Sequence, residues 1–187
     1  MISYNELKKG TRIIVEGQPY EVLESFPIKK ARGRLIIQTK IKNLITGAVF
    51  ARNFHQGDTF EEAELSRSEA KFLYSHRGEY VFCKKENTSE RFKLKEEQIG
   101  EGTMFLKPNQ TVEALIFEGN VVNINLPIKI QLKVTESPPG IKGDRAQGGT
   151  KQVILETGAK INVPLFVETE DVIEINTQTG EYVRRVE

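Results

Sequence analysis

What most constrains the fold of this chain is a period-two alternation of apolar and polar residues, repeated almost from end to end and cut at short intervals by turn residues. "TRIIVEGQPYEVLESF" reads as a strand, a Gly-Gln-Pro turn and a second strand. "RLIIQTKIKNLITGAVFARNF" predicts two strands joined at Thr46-Gly47, and "EYVFCKKENTSERFKL" two more across a polar turn. "TVEALIFEGNVVNINLP" is expected to turn at Gly119-Asn120, and "DVIEINTQTGEYVRRV" at Thr179-Gly180. One helix is expected, over "FEEAELSRSEAKF", which lacks Gly and Pro and is rich in helix formers. The chain is therefore read as all-β and antiparallel.

So many short strands over 187 residues suit several small β-barrels better than one large sandwich. Composition shifts place three domains at residues 1–64, 65–127 and 128–187, with the charged "EEAELSRSEA" and Pro127 at the junctions. Segments of this size are small for a barrel and gain from packing on neighbours. "INLP" and "INVP" hint at a repeat between the second and third segments.

Charge is nearly balanced, with 27 basic and 26 acidic residues, so any affinity for a polyanion has to be local. It is local. Between Ser25 and Gly57 there is no Asp or Glu, and Lys29, Lys30, Arg32, Arg34, Lys40, Lys42 and Arg52 all fall there. Four of these crowd around Gly33, between two alternating runs of about eight residues, roughly 25 Å at ~3.3 Å per residue. The expectation is a long two-stranded arm with cations at its tip. Like charges repel at a turn, which costs stability unless a polyanion waits for them; the structural alternative is that edge cations merely block aggregation. A second loop, "TESPPGIKGDRAQGGTK", joins several glycines to Lys142, Arg145 and Lys151, a combination able to approach a phosphate backbone.

Catalytic patterns are missing. The sequence has no CxxC, HExxH or GxxxxGK[ST], and "GDRAQGGTK" neither follows a buried parallel strand nor opens a helix. His55 reads as an exposed loop residue, His76 is isolated, and Cys83 alternates with Val81 as core filler. Glu61-Glu62 and Glu96-Glu97 are adjacent, as on solvated surface. The expectation is a protein that is not an enzyme and needs no metal and no cofactor. A single cysteine, no signal-peptide pattern and no apolar run of membrane length give the expectation of a cytoplasmic protein with no membrane partner; a monomer is expected.

Taken in order, "TKIKNLITGAVFARNF", "FLYSHRGEYVFCKKENTSERFKL" and "TESPPGIKGDRAQGGTKQVILETGAKINVPLFVETEDVIEINTQTGEYVRR" resemble the three domains of the bacterial elongation factor P family, so the resemblance covers essentially the whole chain. It implies an SH3-like (KOW-like) first domain and two OB folds arranged in an L. It further implies a partner set of ribosome, ribosomal RNA and peptidyl-tRNA, with binding between the peptidyl and exit sites and relief of stalling at consecutive prolines. The first-domain tip, Arg32, would reach the tRNA 3′ end, while Lys29, Lys30, Arg34, Lys40 and Lys42 bind phosphates. The third domain would face the small subunit and mRNA in the exit site, through Lys142, Gly143, Asp144, Arg145, Lys151, Tyr182 and Arg185.

The chain departs from the family at the tip. Family loops read like "PGKGG" or "SGRN", whereas "KARGR" stands here, which argues against β-lysylation and leaves two readings open: Arg32 rhamnosylated by a modifying enzyme, or bare. Arg145 replaces the family threonine, and "TED" replaces "EGD". A paralogue of the family with different clients, and a general single-strand RNA-binding OB protein, stand as alternatives. The second needs exposed aromatics for stacking, which the sequence does not advertise.

Overall fold

The computed structural model describes residues 1–29, 35–139 and 149–186. In chain order the strands are β1 (Ile2–Ser3), β2 (Arg12–Val15), β3 (Gln18–Lys29), β4 (Leu35–Asn43), β5 (Val49–His55), β6 (Thr59–Phe60), β7 (Ser66–His76), β8 (Glu79–Lys84), β9 (Arg91–Lys95), β10 (Thr111–Phe117), β11 (Asn120–Asn125), β12 (Lys129–Glu136), β13 (Thr150–Leu155), β14 (Lys160–Pro164), β15 (Val172–Asn176) and β16 (Glu181–Val186). Between β9 and β10 lie a one-turn helix, α1 (Glu96–Ile99), and a 3₁₀ turn over Gly100–Phe105. All strand pairs are antiparallel, in a four-stranded sheet β2-β3-β4-β5, two five-stranded sheets β11-β10-β7-β8-β9 and β14-β13-β12-β15-β16, and a short β1-β6 ribbon. The protein is all-β, and its curled sheets each enclose their own core.

The first core gathers Leu7, Ile13, Tyr20, Val22, Ile41 and Phe54. The second is built on Ala70, Phe72, Phe82, Leu94 and Val112, and the third on Leu132, Val134, Val153, Val163, Ile173 and Ile175. Each set follows the period of two on its strands: Ile37, Thr39 and Ile41 on β4 are buried, while Gln38 and Lys40 between them are exposed.

Three local expectations are corrected. Residues 60–72 do not form a helix. Ser66–His76 is a strand held on one side by β10 and on the other by β8, with Ala70 and Phe72 turned into the core. Helix propensity amounts to tenths of a kcal/mol per residue, and two full ladders outweigh it. The first hairpin turns at Glu16-Gly17 rather than at Gly-Gln-Pro: both residues have positive φ (53° and 75°), Val15 faces Gln18, and Pro19 already lies in β3 opposite Ile14. That φ pair is the one a two-residue hairpin needs to match strand twist. Glu118-Gly119 (47° and 81°) makes the same turn one residue before the expected position.

The basic arm is not two-stranded. β3 and β4 pair from Tyr20–Asn43 out to Lys29–Leu35, but β5 lines the other side of β4 as far as Ile36–His55. The arm is a three-stranded blade over nearly its whole length. β3 forms its outer edge, because β2 pairs with it only from Gln18 to Glu21.

Candidate nucleic-acid interface

The cations expected to meet RNA do not share one setting. Lys29 is exposed and closes the described part of β3; Lys30, Arg32 and Arg34 lie outside the described residues. Lys40 is on the solvent face of β4, 3.6 Å from Glu24, with both side chains about half exposed. That pair is weak and screened by salt, so it leaves Lys40 available to a stronger anion. Lys42 is placed differently. Its Nζ donates to the Gln98 carbonyl at 2.6 Å, between the first and second sheets, and burial pushes the ammonium below its ordinary value against a smaller opposing pull from Glu21. Expected to bind a phosphate, Lys42 instead has its ammonium engaged by the Gln98 carbonyl.

Lys42 belongs to a joint that sequence reasoning missed. Gln98 on α1 donates its side-chain amide to the Ile45 carbonyl at 2.7 Å, and its own carbonyl also accepts from Asn123 at 3.0 Å. Leu44 from the β4–β5 loop is buried with Leu115 and Val122 of the second sheet. Gly47 has φ +78°, and a Cβ there would stand 2.3 Å from the Glu97 carbonyl oxygen. Only a glycine permits this approach. The base of the cationic blade is thus bolted to the second sheet by backbone carbonyls at the end of a single helical turn.

In the third sheet Lys142, Gly143, Asp144 and Arg145 lie outside the described residues. Lys151 donates to the Pro138 carbonyl at 3.0 Å, and Ser137 donates to the Val167 carbonyl at 3.0 Å, so the two ends of the expected loop are tied down. Arg185 sits 3.6 Å from Asp171 and 5.7 Å above the Phe166 ring, whereas Tyr182 is half-buried against the core. Glu174 is buried between Arg184 at 3.2 Å and Lys129 at 3.5 Å; the Arg184 hydrogen bond, with both positive charges, holds its carboxyl below the usual range despite burial. Alternation sends Ile173 and Ile175 into the core and Glu174 to the opposite face, and only the fold shows that this face is covered there and that two cations flank the carboxylate.

Exposed aromatics do occur. Phe26 and Phe166 are each 56% exposed and Phe50 is 45% exposed, so their absence is not a ground for setting stacking aside. Among the described residues no group of three or more His, Cys, Asp and Glu could hold a metal ion, and no helix is long and apolar enough to cross a membrane. His55 and His76 end strands of different sheets, and Cys83 is a buried free thiol.

Comparison with known proteins agrees with this architecture. The family model described as the elongation factor P KOW-like domain matches residues 3–60, that of the elongation factor P OB domain matches 65–124, and that of the elongation factor P C-terminal region matches 130–185. Similar proteins include elongation factor P of Moorella thermoacetica, 44% identical over 185 residues (99% of this chain, 100% of the relative). Those of Symbiobacterium thermophilum, at 43% over 185 residues (99% and 100%), and Carboxydothermus hydrogenoformans, at 39% over 186 residues (100% and 100%), are similar too. The fold and these matches define a translation elongation factor built from a KOW-like domain and OB domains in series. The chain belongs to the elongation factor P family.

Proposed function

We propose that this protein enters the ribosome between the peptidyl and exit sites, steadies the peptidyl-tRNA, and stimulates peptide-bond formation at runs of proline. The observation that carries the reading is the blade itself. Its β3–β4 register runs unbroken from a bulge at Val22/Glu24 to Lys29–Leu35, the two residues that flank the cation-rich stretch 30–34 in the sequence. Three strands make a stiffer support than two, and a joint anchored on Gln98 fixes its base. Domains at 1–64, 65–127 and 128–187 would place the blade at one end and the loop around Lys142 and Arg145 at the other, one for the tRNA 3′ end and one for the exit-site codon.

Nothing in this role requires covalent catalysis. The guanidinium of Arg32 stays protonated near neutral pH and is no general base, so it acts by charge and position. Orientation alone is worth up to about 7–11 kcal/mol in favourable cases. Bare or rhamnosylated, Arg32 would do the same work, in the cytoplasm and as a monomer. In reconstituted translation of a proline-run message, Arg32→Ala should abolish the stimulation while ribosome pelleting stays nearly unchanged. Wild-type protein that fails to shorten the pause would overturn the proposal.

A further inference from the structure

The blade has two faces, and the one turned away from the core carries side chains that the expected contacts do not use. Ile37, Thr39 and Ile41 point from β4 into the first core, so Ile36, Gln38 and Lys40 stand on the other face. Register extends that face across all three strands. Phe26 lies opposite Gln38 and Gln38 opposite Asn53, which puts an aromatic ring and two carboxamides in one row. The next row toward the tip is Ile28, Ile36 and His55, and the next toward the base is Glu24, Lys40 and Ala51. All of these are exposed except Ile36, which is half-buried. One row further down, Glu21, Lys42 and Val49 mark the start of the joint, since Lys42 ends on the Gln98 carbonyl. The open platform thus measures about 13 Å along the strands and about 10 Å across them. Its single acid, Glu24, is engaged by Lys40, and the stretch Ser25–Gly57 that supplies the rest holds no Asp or Glu.

We infer that this face takes one unstacked nucleotide of an RNA strand, an inference that rests on the ribosome-and-tRNA reading above. The base stacks on the Phe26 ring, and the Gln38 and Asn53 carboxamides, each a donor and an acceptor, meet its edge from the same row. Lys40 exchanges its weak pairing with Glu24 for the adjoining phosphate. The ring, the amides and the ammonium come from three different strands, so the site is held by the ladder and needs no loop to close over it. A protein partner would also cover Phe26 and Ile28. The platform is far smaller than the roughly 800 Å² per partner of a specific protein interface, and a polar row crosses its middle.

The test titrates full-length protein with adenylate tetranucleotide, observed by methyl-resolved NMR. Ile28 and Ile36 methyls, on the platform, should shift saturably, while those of Ile37 and Ile41, on the core face of β4, stay in place. Phe26→Ala should weaken binding about ten-fold while Phe26→Tyr preserves it. Gln38→Ala with Asn53→Ala should weaken it several-fold, and Lys40→Met should flatten its dependence on salt. Equal shifts with inorganic polyphosphate would reduce the platform to a phosphate contact, and the same shifts on concentrating the protein alone would make it a contact between copies. Either result, no saturable shift, or a Phe26→Ala variant that binds like wild type, overturns the inference. Relief of proline pausing is scored on the same preparations. Wild-type protein that relieves the pause without binding the tetranucleotide fails the platform alone, and one that binds without relieving it fails the ribosomal reading alone.

Discussion

Two lysines on one strand show how position decides what a charge does. Lys40 and Lys42 look alike in "QTKIKN", yet Lys40 faces solvent and Lys42 ends in the joint on the Gln98 carbonyl. Lys42→Met should lower the urea midpoint by the equivalent of about 1 kcal/mol, the usual net value of a hydrogen bond. Lys40→Met should stay within about 0.5 kcal/mol, as an exposed pair contributes little. Glu174 gives the acid counterpart. Its carboxyl holds its proton less tightly in the folded chain than in the unfolded one, so its contribution is complete above the ordinary glutamate value and is lost as pH falls through the lower folded value. Thermal unfolding from pH 7 down past about pH 4.3 should therefore show a flatter acid limb for Glu174→Gln than for wild type, starting from a lower neutral value. A Glu174→Gln curve parallel to wild type would remove the residue from the acid response.

At the scale of elements, turns and ladders overrule propensity. Residues 60–72 read locally as helix, yet Ala70 and Phe72 in Ser66–His76 keep the period of two that the neighbours on β8 and β10 require. That signal was present in the sequence, masked by helix-forming residues on the exposed face. Glycines at positive φ differ in the same contextual way. An alanine Cβ at Gly17 meets nothing within 4 Å, so Gly17→Ala should cost only the backbone term, about 1–2 kcal/mol. Gly47→Ala carries that cost and also drives a Cβ into the Glu97 carbonyl, and the joint has to open. It should be clearly the more destabilising of the two in denaturant titration, with faster hydrogen exchange at the Gly47 amide bonded to Asn43.

At the scale of the molecule, the sheets are coupled through side chains lent from one core to another. Phe105, at the end of the 3₁₀ turn that precedes β10, is 2% exposed and packs with Leu132, Val153 and Ile173 of the third sheet; Leu126 touches both the second and third cores. Phe105→Ala should cost about 3–5 kcal/mol and split the unfolding transition, with the third sheet melting first; a single transition at unchanged midpoint would show that the third sheet does not depend on it. The sequence by itself determined the strand content, the clustering of cations around Gly33 and the family, because alternation, local charge and long ordered motifs are properties of neighbours along the chain. Only the tertiary structure decided that Lys42 is a fastener, that 66–76 is a strand, that the blade has three strands, and that Phe26, Gln38 and Asn53 share one row on its open face. The physical reason is separation: Lys42 and the carbonyl it binds are 56 residues apart, and local patterning specifies which face of a strand is buried but not what comes to cover it.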